Sequence, residues 1–303
     1  MRVIVVGLGI QGNKRAKFAG LDLFATVDPA KPGVNYKSVK DVPLEKYDAA
    51  LLCIPDEVKI ELITYLLENK KHVLVEKPIL SKEVTEIQNL KHLAEKNKTV
   101  CYTAYNHRFE PHIVRMKEFI ESGKLGKIYS TRLFYGNGTA RDVRNSEWRD
   151  KGAGVLPDLG SHLLDMILFL YPNFQNRIFK PVAYHSFENT SYDHVIFHSD
   201  ADTYVSCEAT LLSWRNSFHC DVYAELGSAH ITSLCKWGPT VFNTRMRKFP
   251  SGMPTQESFP LEQSDPTWEI EYNYFKRLCA KGGHNLDNDI WISQTLHGLS
   301  EKL

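Results

Sequence analysis

The feature that most constrains this chain is a glycine-rich turn close to its first residue. Residues 3–6 are all apolar, and Gly7, Gly9 and Gly12 follow with the spacing G-x-G-x-x-G. An apolar run that ends in glycine is typical of a strand buried on both faces. In such a motif the first glycine permits a tight turn, the second lets backbone approach a pyrophosphate, and the third lets helix and strand pack closely. The pattern therefore predicts a dinucleotide-binding turn; the alternative is glycines that serve turns alone.

An aspartate at the end of the second predicted strand indicates which dinucleotide is bound. Asp28 follows Gly7 by 21 residues, and a carboxylate at this place binds a ribose 2′-hydroxyl and repels a 2′-phosphate. A hydrogen bond to a charged group contributes about 1.5–3 kcal/mol, enough for a preference of tenfold or more. We therefore expect NAD as the cofactor. NADP stays open because Lys31 lies three residues on, and Asp28 could instead be a turn residue before Pro29.

The periodicity of the chain changes near residue 125. Residues 1–105 alternate strand and helix with short connections, which predicts a doubly wound parallel sheet. Beyond the change, a helix at 158–171 is followed by five strand-like segments, most of them separated by turn residues, as in an antiparallel sheet. The proline-rich stretch 247–266 is expected to be a surface loop, and 267–280 a helix.

The sequence thus predicts two domains. The first, residues 1–120, is an α/β Rossmann domain that binds a dinucleotide. The second, residues 121–303, is expected to be an α+β domain with an open, mostly antiparallel sheet. A length of 303 residues with 43% hydrophobic content is ample for two cores.

Composition excludes several classes of protein. The net charge of +1 gives no case for a nucleic-acid partner, and no apolar run approaches the roughly 20 residues that a membrane span needs. The six cysteines are widely spaced, as is typical of buried thiols in a reducing compartment, so we expect a cytoplasmic protein. Neither Cys-x-x-Cys nor His-Glu-x-x-His occurs, so no metal site is predicted.

Three further motifs follow the glycine turn. They are Val75-Glu76-Lys77-Pro78, the run from Tyr105 to Phe109, and Trp148-Arg149 with the segment from Gly152 to His162, which contains Asp158-Leu159-Gly160-Ser161-His162. In this order they resemble the Gfo/Idh/MocA family, the glucose–fructose oxidoreductase and inositol dehydrogenase group. The resemblance implies a nicotinamide-dependent oxidoreductase that acts on the CH–OH group of a sugar or polyol. Two departures are Lys59, where the family often has histidine, and Pro157 just before Asp158.

The resemblance also implies the site residues. The catalytic set is Lys77, Asp158 and His162. Cofactor contacts are expected at Gly7, Gly9, Ile10, Gln11, Gly12, Asp28, Ile54, Pro55, Glu76 and Lys77. Substrate contacts are expected at Lys77, Tyr105, Asn106, Arg108, Trp148, Arg149, Asp158 and His162.

Oxidation of a secondary alcohol needs a proton acceptor beside the hydroxyl, since the cofactor carries the hydride. Deprotonating a free lysine side chain at pH 7 costs about 4.6 kcal/mol, whereas a histidine needs almost no help. We therefore expect His162 to be the general base and Lys77 to hold the reacting oxygen as a cation. Asp158 would bind a neighbouring substrate hydroxyl or orient the site, and Glu76 would position Lys77 or contact backbone.

Several alternatives remain open from the sequence. Arg141, Arg144 and Arg149 favour an anionic substrate such as a nucleotide-linked sugar, although they also suit a solvated loop. The same scaffold could serve as a non-catalytic dinucleotide sensor, or as a reductase of an unsaturated ring that is not a sugar. An open sheet exposes apolar strands, and large exposed apolar patches usually mark interfaces. The resemblance implies that the second domain binds substrate and forms a homodimer or homotetramer through the C-terminal sheet.

Overall fold

The computed structural model describes residues 1–81, 83–146 and 149–302. The first part of the chain forms β1 (Val3–Val6), α1 (Ile10–Ala19), β2 (Leu23–Val27), β3 (Ala49–Leu52), α2 (Lys59–Glu68), β4 (His72–Glu76), α3 (Val84–Asn97) and β5 (Cys101–Ala104). The middle part forms α4 (Pro111–Glu121), β6 (Ile128–Gly136), α5 (Ala140–Arg144), α6 (Ser161–Leu170), β7 (Lys180–His185), β8 (His194–Ser199), β9 (Tyr204–Thr210), β10 (Ser217–Ala224), β11 (Gly227–Thr232), β12 (Thr240–Met246) and β13 (Thr255–Leu261). The last part forms α7 (Thr267–Lys281) and α8 (Leu286–Leu299).

The chain divides into two compact units. The first unit contains Met1–Asn106 and Thr267–Ser293, and the second contains the described residues of His107–Pro266 and Gln294–Leu303. These units differ from the predicted ranges 1–120 and 121–303 in two ways. Residues 107–120 belong to the second unit, where α4 contacts α6, β11 and β12, and α7 returns to the first unit from late in the chain. The physical reason is that α7 carries apolar side chains that the first sheet needs to cover one of its faces.

The first unit is built on a five-stranded parallel sheet with the order β2-β1-β3-β4-β5. Alternate residues of β1 enter different cores: Ile4 and Val6 pack on one face with residues of α2 and α3. Val3 and Val5 pack on the other face, where α7 contributes Tyr272 and Phe275. Both faces are therefore covered, as an all-parallel sheet requires, and the predicted doubly wound fold is confirmed.

The second unit is built on an eight-stranded sheet with the order β13-β12-β11-β10-β6-β9-β8-β7. Every neighbouring pair is antiparallel except β6 with β9. Inward side chains such as Leu133, Val205 and Phe218 are buried, whereas Arg132 and Tyr223 point to the other side and stay exposed. One face of this sheet is thus open within the unit, which confirms the predicted open, mostly antiparallel sheet.

One segment contradicts the sequence prediction. The stretch 247–266, expected to be a surface loop, contains β13, which pairs with β12 along its whole length. The strand lies at the edge of the sheet and its side chains are mostly exposed. An edge strand tolerates a proline such as Pro260, because the missing N–H can face solvent. The strand was therefore not predicted, because its sequence is polar and contains proline.

Of the helices in the described ranges, none combines the length and the apolar character that crossing a membrane requires.

Candidate active site

The glycine turn between β1 and α1 shows a different role for each glycine. Gly7 has φ +84°, and a Cβ on it would collide with the carbonyl oxygen of Cys53. A Cβ on Gly12 would collide with the carbonyl oxygen of Gly7, so this glycine lets the helix lie close to the strand. A Cβ on Gly9 would meet no heavy atom of the protein within 4 Å. The fold itself therefore does not require glycine at position 9, which fits a place where a ligand phosphate approaches backbone.

Asp28 lies just past β2 and is tied to the glycine turn. Its Oδ2 accepts the N–H of Leu8 at 2.8 Å, and its Oδ1 accepts the N–H groups of Ala30 and Lys31, both at 2.9 Å. Burial alone would raise the pKa of the carboxyl, but the three backbone donors outweigh burial and hold the pKa below its usual range. The carboxylate is thus ionised and fixed, as binding of a ribose hydroxyl requires.

The remaining predicted cofactor contacts of the first unit follow the carboxyl ends of parallel strands. Ile54 and Pro55 follow β3, and Lys77 follows β4, in a cis peptide bond with Pro78. Ile10 and Gln11 are exposed at the first turn of α1. The carboxyl ends of parallel strands share one edge of the sheet, which is where ligands of such folds bind. This edge therefore brings the predicted cofactor residues together.

Glu76 has a partner that the sequence did not predict. Its Oε1 accepts Arg15 Nε at 2.8 Å, and Arg15 Nη1 pairs with Oε2 of Glu271 at 2.7 Å. The Arg15 guanidinium also lies over the Trp268 ring, 4.3 Å from its centroid. Burial alone would lower the pKa of Arg15, but the charges of Glu76 and Glu271 raise it. Glu76 thus anchors the strand before Lys77 to α1 and α7; direct cofactor binding by Glu76 stays a prediction.

Lys59, the departure from the family pattern, contacts the turn after β4 that contains Lys77 and Pro78. Its side chain is buried, and Nζ donates to the carbonyl oxygen of Pro78 at 2.7 Å and pairs with Oδ1 of Asp56 at 2.6 Å. Lys59 therefore fixes the backbone one residue beyond Lys77. A lysine at this place therefore stabilises the turn that bears Lys77.

In the second unit, Asp158 and His162 lie where a π-helical turn, Leu156–Gly160, runs into α6. π-turns inside helices are frequent at functional sites. His162 keeps 7% of its surface exposed, and its ring stacks on that of His107 with centroids 4.1 Å apart. The predicted pair thus shares the start of one helix, close to a second histidine.

The sequence did not predict the role of Lys236 in this cluster. Lys236 Nζ lies 2.9 Å from Nε2 of His107 and donates to the Tyr135 hydroxyl at 3.2 Å. The Tyr135 ring lies 5.8 Å from that of His162. Burial, together with the nearby charges of Asp158 and Glu110, raises the pKa of the Tyr135 phenol. Lys236 lies 74 residues from His162 in sequence, so no local pattern could have identified it.

Three of the predicted substrate contacts are buried or have partners within the fold, and a fourth lies outside the described residues. Arg108 forms a two-pronged ion pair with the buried Asp165, Asn106 donates to Thr267 Oγ1 at 2.8 Å, and Tyr105 is fully buried. Substrate contact by these three residues stays a prediction. Trp148 lies outside the described residues.

The remaining arginines are accessible. Arg149 is half-buried, and Arg141 and Arg144 are exposed on α5. This exposure suits both an anionic substrate and a solvated charged surface, so both interpretations stay open.

One group among the described residues tests the expectation that no metal is bound. Ligand atoms of Glu110, Cys235 and Asp265 lie within 4.8 Å of one another. Burial raises the pKa of both the Glu110 carboxyl and the Cys235 thiol, although the Cys235 N–H donates to Glu110 at 3.2 Å. A raised pKa makes both groups weaker metal ligands, because a ligand must first lose its proton. That no metal is bound stays a prediction.

A Rossmann unit with a fixed aspartate after β2, joined to a unit with a large open sheet, defines a dinucleotide-binding class of protein. Residues 1–105 match the family model described as an oxidoreductase family with an NAD-binding Rossmann fold. Residues 113–230 match that of the GFO/IDH/MocA C-terminal domain. The chain belongs to the GFO/IDH/MocA family, and the predicted resemblance is confirmed.

Sequence identity to individual relatives is low and covers only part of each chain. The chain is 27% identical to glucose-6-phosphate 3-dehydrogenase of Bacillus subtilis over 46% of its own length and 41% of that enzyme. It is also 27% identical to myo-inositol 2-dehydrogenase of Thermotoga maritima, over 59% of this chain and 57% of that enzyme. The chain thus matches about half the length of these curated relatives.

Solved structures agree over nearly the whole chain. Levoglucosan dehydrogenase in complex with NADH superposes with a TM-score of 0.84 at 17% identity, covering 100% of this chain and 96% of that one. An inositol dehydrogenase homologue from Azotobacter vinelandii, complexed with NADH and myo-inositol, gives 0.77 at 16% identity and covers 100% and 95%. At this level of identity the likeness establishes the fold.

Proposed function

We propose that the protein is a nicotinamide-dependent oxidoreductase that transfers a hydride to or from a secondary alcohol of a sugar, polyol or nucleotide-linked sugar. The observation that carries the proposal is the carboxyl edge of the first sheet. Three features follow parallel strands of that sheet: Gly9, where a Cβ would meet no protein atom; the ionised Asp28; and the turn that bears Lys77, which Lys59 stabilises. These residues suit a dinucleotide with an unmodified ribose hydroxyl, so NAD is the proposed cofactor and NADP the alternative.

The bound nicotinamide would supply the hydride chemistry, and the protein the proton chemistry. His162 is proposed as the general base that accepts the hydroxyl proton during oxidation and returns it during reduction. Lys77 is proposed to donate hydrogen bonds to the reacting oxygen, which favours the negative charge that develops there. Asp158 is proposed to orient a neighbouring hydroxyl. The names of the relatives, which include inositol and glucose 6-phosphate dehydrogenases, support a polyhydroxylated substrate.

The test is turnover with a panel of sugars, polyols and nucleotide sugars, followed by the absorbance of the reduced nicotinamide with NAD and with NADP. We expect turnover with at least one substrate, tighter binding of NAD than of NADP, and losses of at least 100-fold in kcat for Lys77→Met and His162→Asn. Lys96→Met and His92→Asn, both exposed on α3, are matched controls.

Three outcomes would overturn parts of this proposal. Tighter binding of NADP would overturn the cofactor assignment. Near-normal turnover of the His162 variant beside a dead Lys77 variant would overturn the base assignment. Tight NAD binding without turnover of any substrate would favour the non-catalytic sensor.

We further infer a homodimer or homotetramer through the open face of the second sheet. That face carries Tyr204 and Tyr223, each about two-fifths exposed. Exposed apolar surface of this kind usually marks an interface. A monomer by size-exclusion chromatography with light scattering at micromolar concentration would contradict the inference.

A cytoplasmic location is inferred from the cysteines. All six are free thiols in the structure, which suits a reducing compartment.

A further inference from the structure

Lys236 imposes a particular protonation state on His107. A lysine ammonium has three donors and no acceptor, so the close contact of Lys236 Nζ with His107 Nε2, at 2.9 Å, requires that nitrogen to accept. An imidazole that accepts at Nε2 is neutral and carries its proton on Nδ1. The Tyr135 hydroxyl accepts from the same ammonium at 3.2 Å, and the rings of Tyr135 and Trp237 lie 5.5 and 4.6 Å from it. The cation is therefore held in place from several sides.

His107 in turn lies against the proposed base. Its ring is 1% exposed, and it stacks on His162 at a tilt of 30°. At this separation a charge on one ring opposes a charge on the other, because little water lies between them to screen it. A neutral His107 is a partner that His162 can stack on in either protonation state, whereas a charged His107 would repel the protonated base.

The other charged or titratable groups around His162 in this unit have opposing effects. Asp158, one helical turn before it, and Glu110, at the start of α4, both act on Tyr135 electrostatically and favour positive charge nearby. Tyr135 on β6 contacts both histidine rings and is neutral. Lys236 is the opposing cation. The two carboxylates alone would favour a protonated His162, and the ammonium offsets them.

From this geometry we propose that Lys236 is a positioning residue that holds His107 neutral and thereby enables His162 to accept a proton. Its catalytic consequence rests on the proposed function. Without the ammonium, the pair of His107 and His162 binds a proton at higher pH. His162 is then already protonated, and unable to act as a base, over a wider range of acidic pH. The effect acts through the protonation of His162, while the substrate contacts stay as they are.

The experiment has two readouts. The first is an NMR titration of the His162 ring in the full-length protein with labelled histidine, which needs no turnover. The second is the pH profile of kcat/KM with the substrate found in the screen. Lys236→Met should raise the midpoint of the His162 titration by about one pH unit and move the acidic limb of kcat/KM to higher pH by the same amount. Lys236→Arg, which keeps a cation, should restore both.

Matched variants separate the charge from the packing. Lys124→Met removes an exposed lysine of the same unit and should shift neither readout. Tyr135→Phe removes the second acceptor and keeps the ammonium, and should shift the titration by less than half as much. If Lys236→Met does not fold, Lys236→Gln keeps two donors without the charge and takes its place.

The results distinguish the inference from the function. A His162 titration that stays within about 0.2 unit of the wild type in the folded Lys236→Met or Lys236→Gln protein overturns the role of Lys236, whatever the activity. Absence of turnover in the wild type overturns the proposed function, while the NMR titration still decides the role of Lys236.

Discussion

The fold requires glycine at position 12 but not at position 9, so alanine substitutions at the two positions separate cofactor binding from folding. A Cβ on Gly9 meets no protein atom within 4 Å, and the residue has φ −75°, which any L-residue adopts. Replacing glycine by alanine stabilises a compatible site by about 0.4–1 kcal/mol through the unfolded chain. Alanine is a poorer helix N-cap than glycine by a similar amount. Gly9→Ala should therefore change the free energy of unfolding by less than about 1 kcal/mol.

Cofactor affinity should respond differently. The added methyl group stands where the proposed pyrophosphate approaches the backbone, and overpacking by one methyl group costs about 1–3 kcal/mol. This corresponds to a rise of about 5- to 150-fold in the Kd for NADH. The affinity is measured by fluorescence titration of NADH, and the stability by urea unfolding of the same samples.

Gly12→Ala is the matched control. Its Cβ would collide with the Gly7 carbonyl, which is backbone and can move only by shifting the turn. We expect a loss of about 1–3 kcal/mol in the free energy of unfolding. An NADH affinity of Gly9→Ala equal to that of the wild type would refute the placement of the cofactor. A loss of stability in Gly9→Ala as large as that in Gly12→Ala would refute the conclusion that the fold does not require glycine at position 9.

Two further predictions concern stability in the first unit. His72 Nδ1 accepts the N–H of Val100 at 2.9 Å, and burial lowers the pKa of this histidine. Because the unfolded chain then binds the proton more readily, the free energy of unfolding should fall below about pH 6.5, by at most about 1.4 kcal/mol per pH unit. His72→Gln should reduce this slope in urea titrations, and an unchanged slope would contradict the assignment. Arg15→Met leaves the fully buried Glu271 without its cation and should cost about 3–5 kcal/mol, whereas Lys17→Met on the exposed side of α1 costs under about 0.5. The double variant with Glu271→Met should recover much of the loss in the same assay, and no recovery would show that the ion pair is not the cause.

Local sequence signals predicted much of the first unit. The apolar run before Gly7 and the helix at 267–280 both correspond to elements of the structure, with ends that shift by a residue or two. Such signals depend on neighbouring residues, which the sequence displays directly. The edge strand β13 was missed because an exposed strand with a proline has neither an apolar period nor a clean β-propensity.

Long-range partners could not be predicted in this way. Arg15 and Glu271 are 256 residues apart, and Lys236 meets His107 across 129 residues. Each is an ordinary charged residue in its own segment, so only the folded chain shows that it is buried and paired. The ion pair of Arg108 with Asp165, 57 residues away, is a third partnership that the local motif did not indicate.

The return of α7 to the first unit has a consequence for synthesis in the cell. The segment Met1–Asn106 leaves the ribosome without the helix that supplies Tyr272 and Phe275 to one face of its sheet. About 160 further residues must be made before that helix emerges, which takes roughly 8–32 s at 5–20 residues per second. During this interval the nascent chain exposes an apolar sheet face, so we expect it to depend on chaperones and to be vulnerable to premature termination before residue 281.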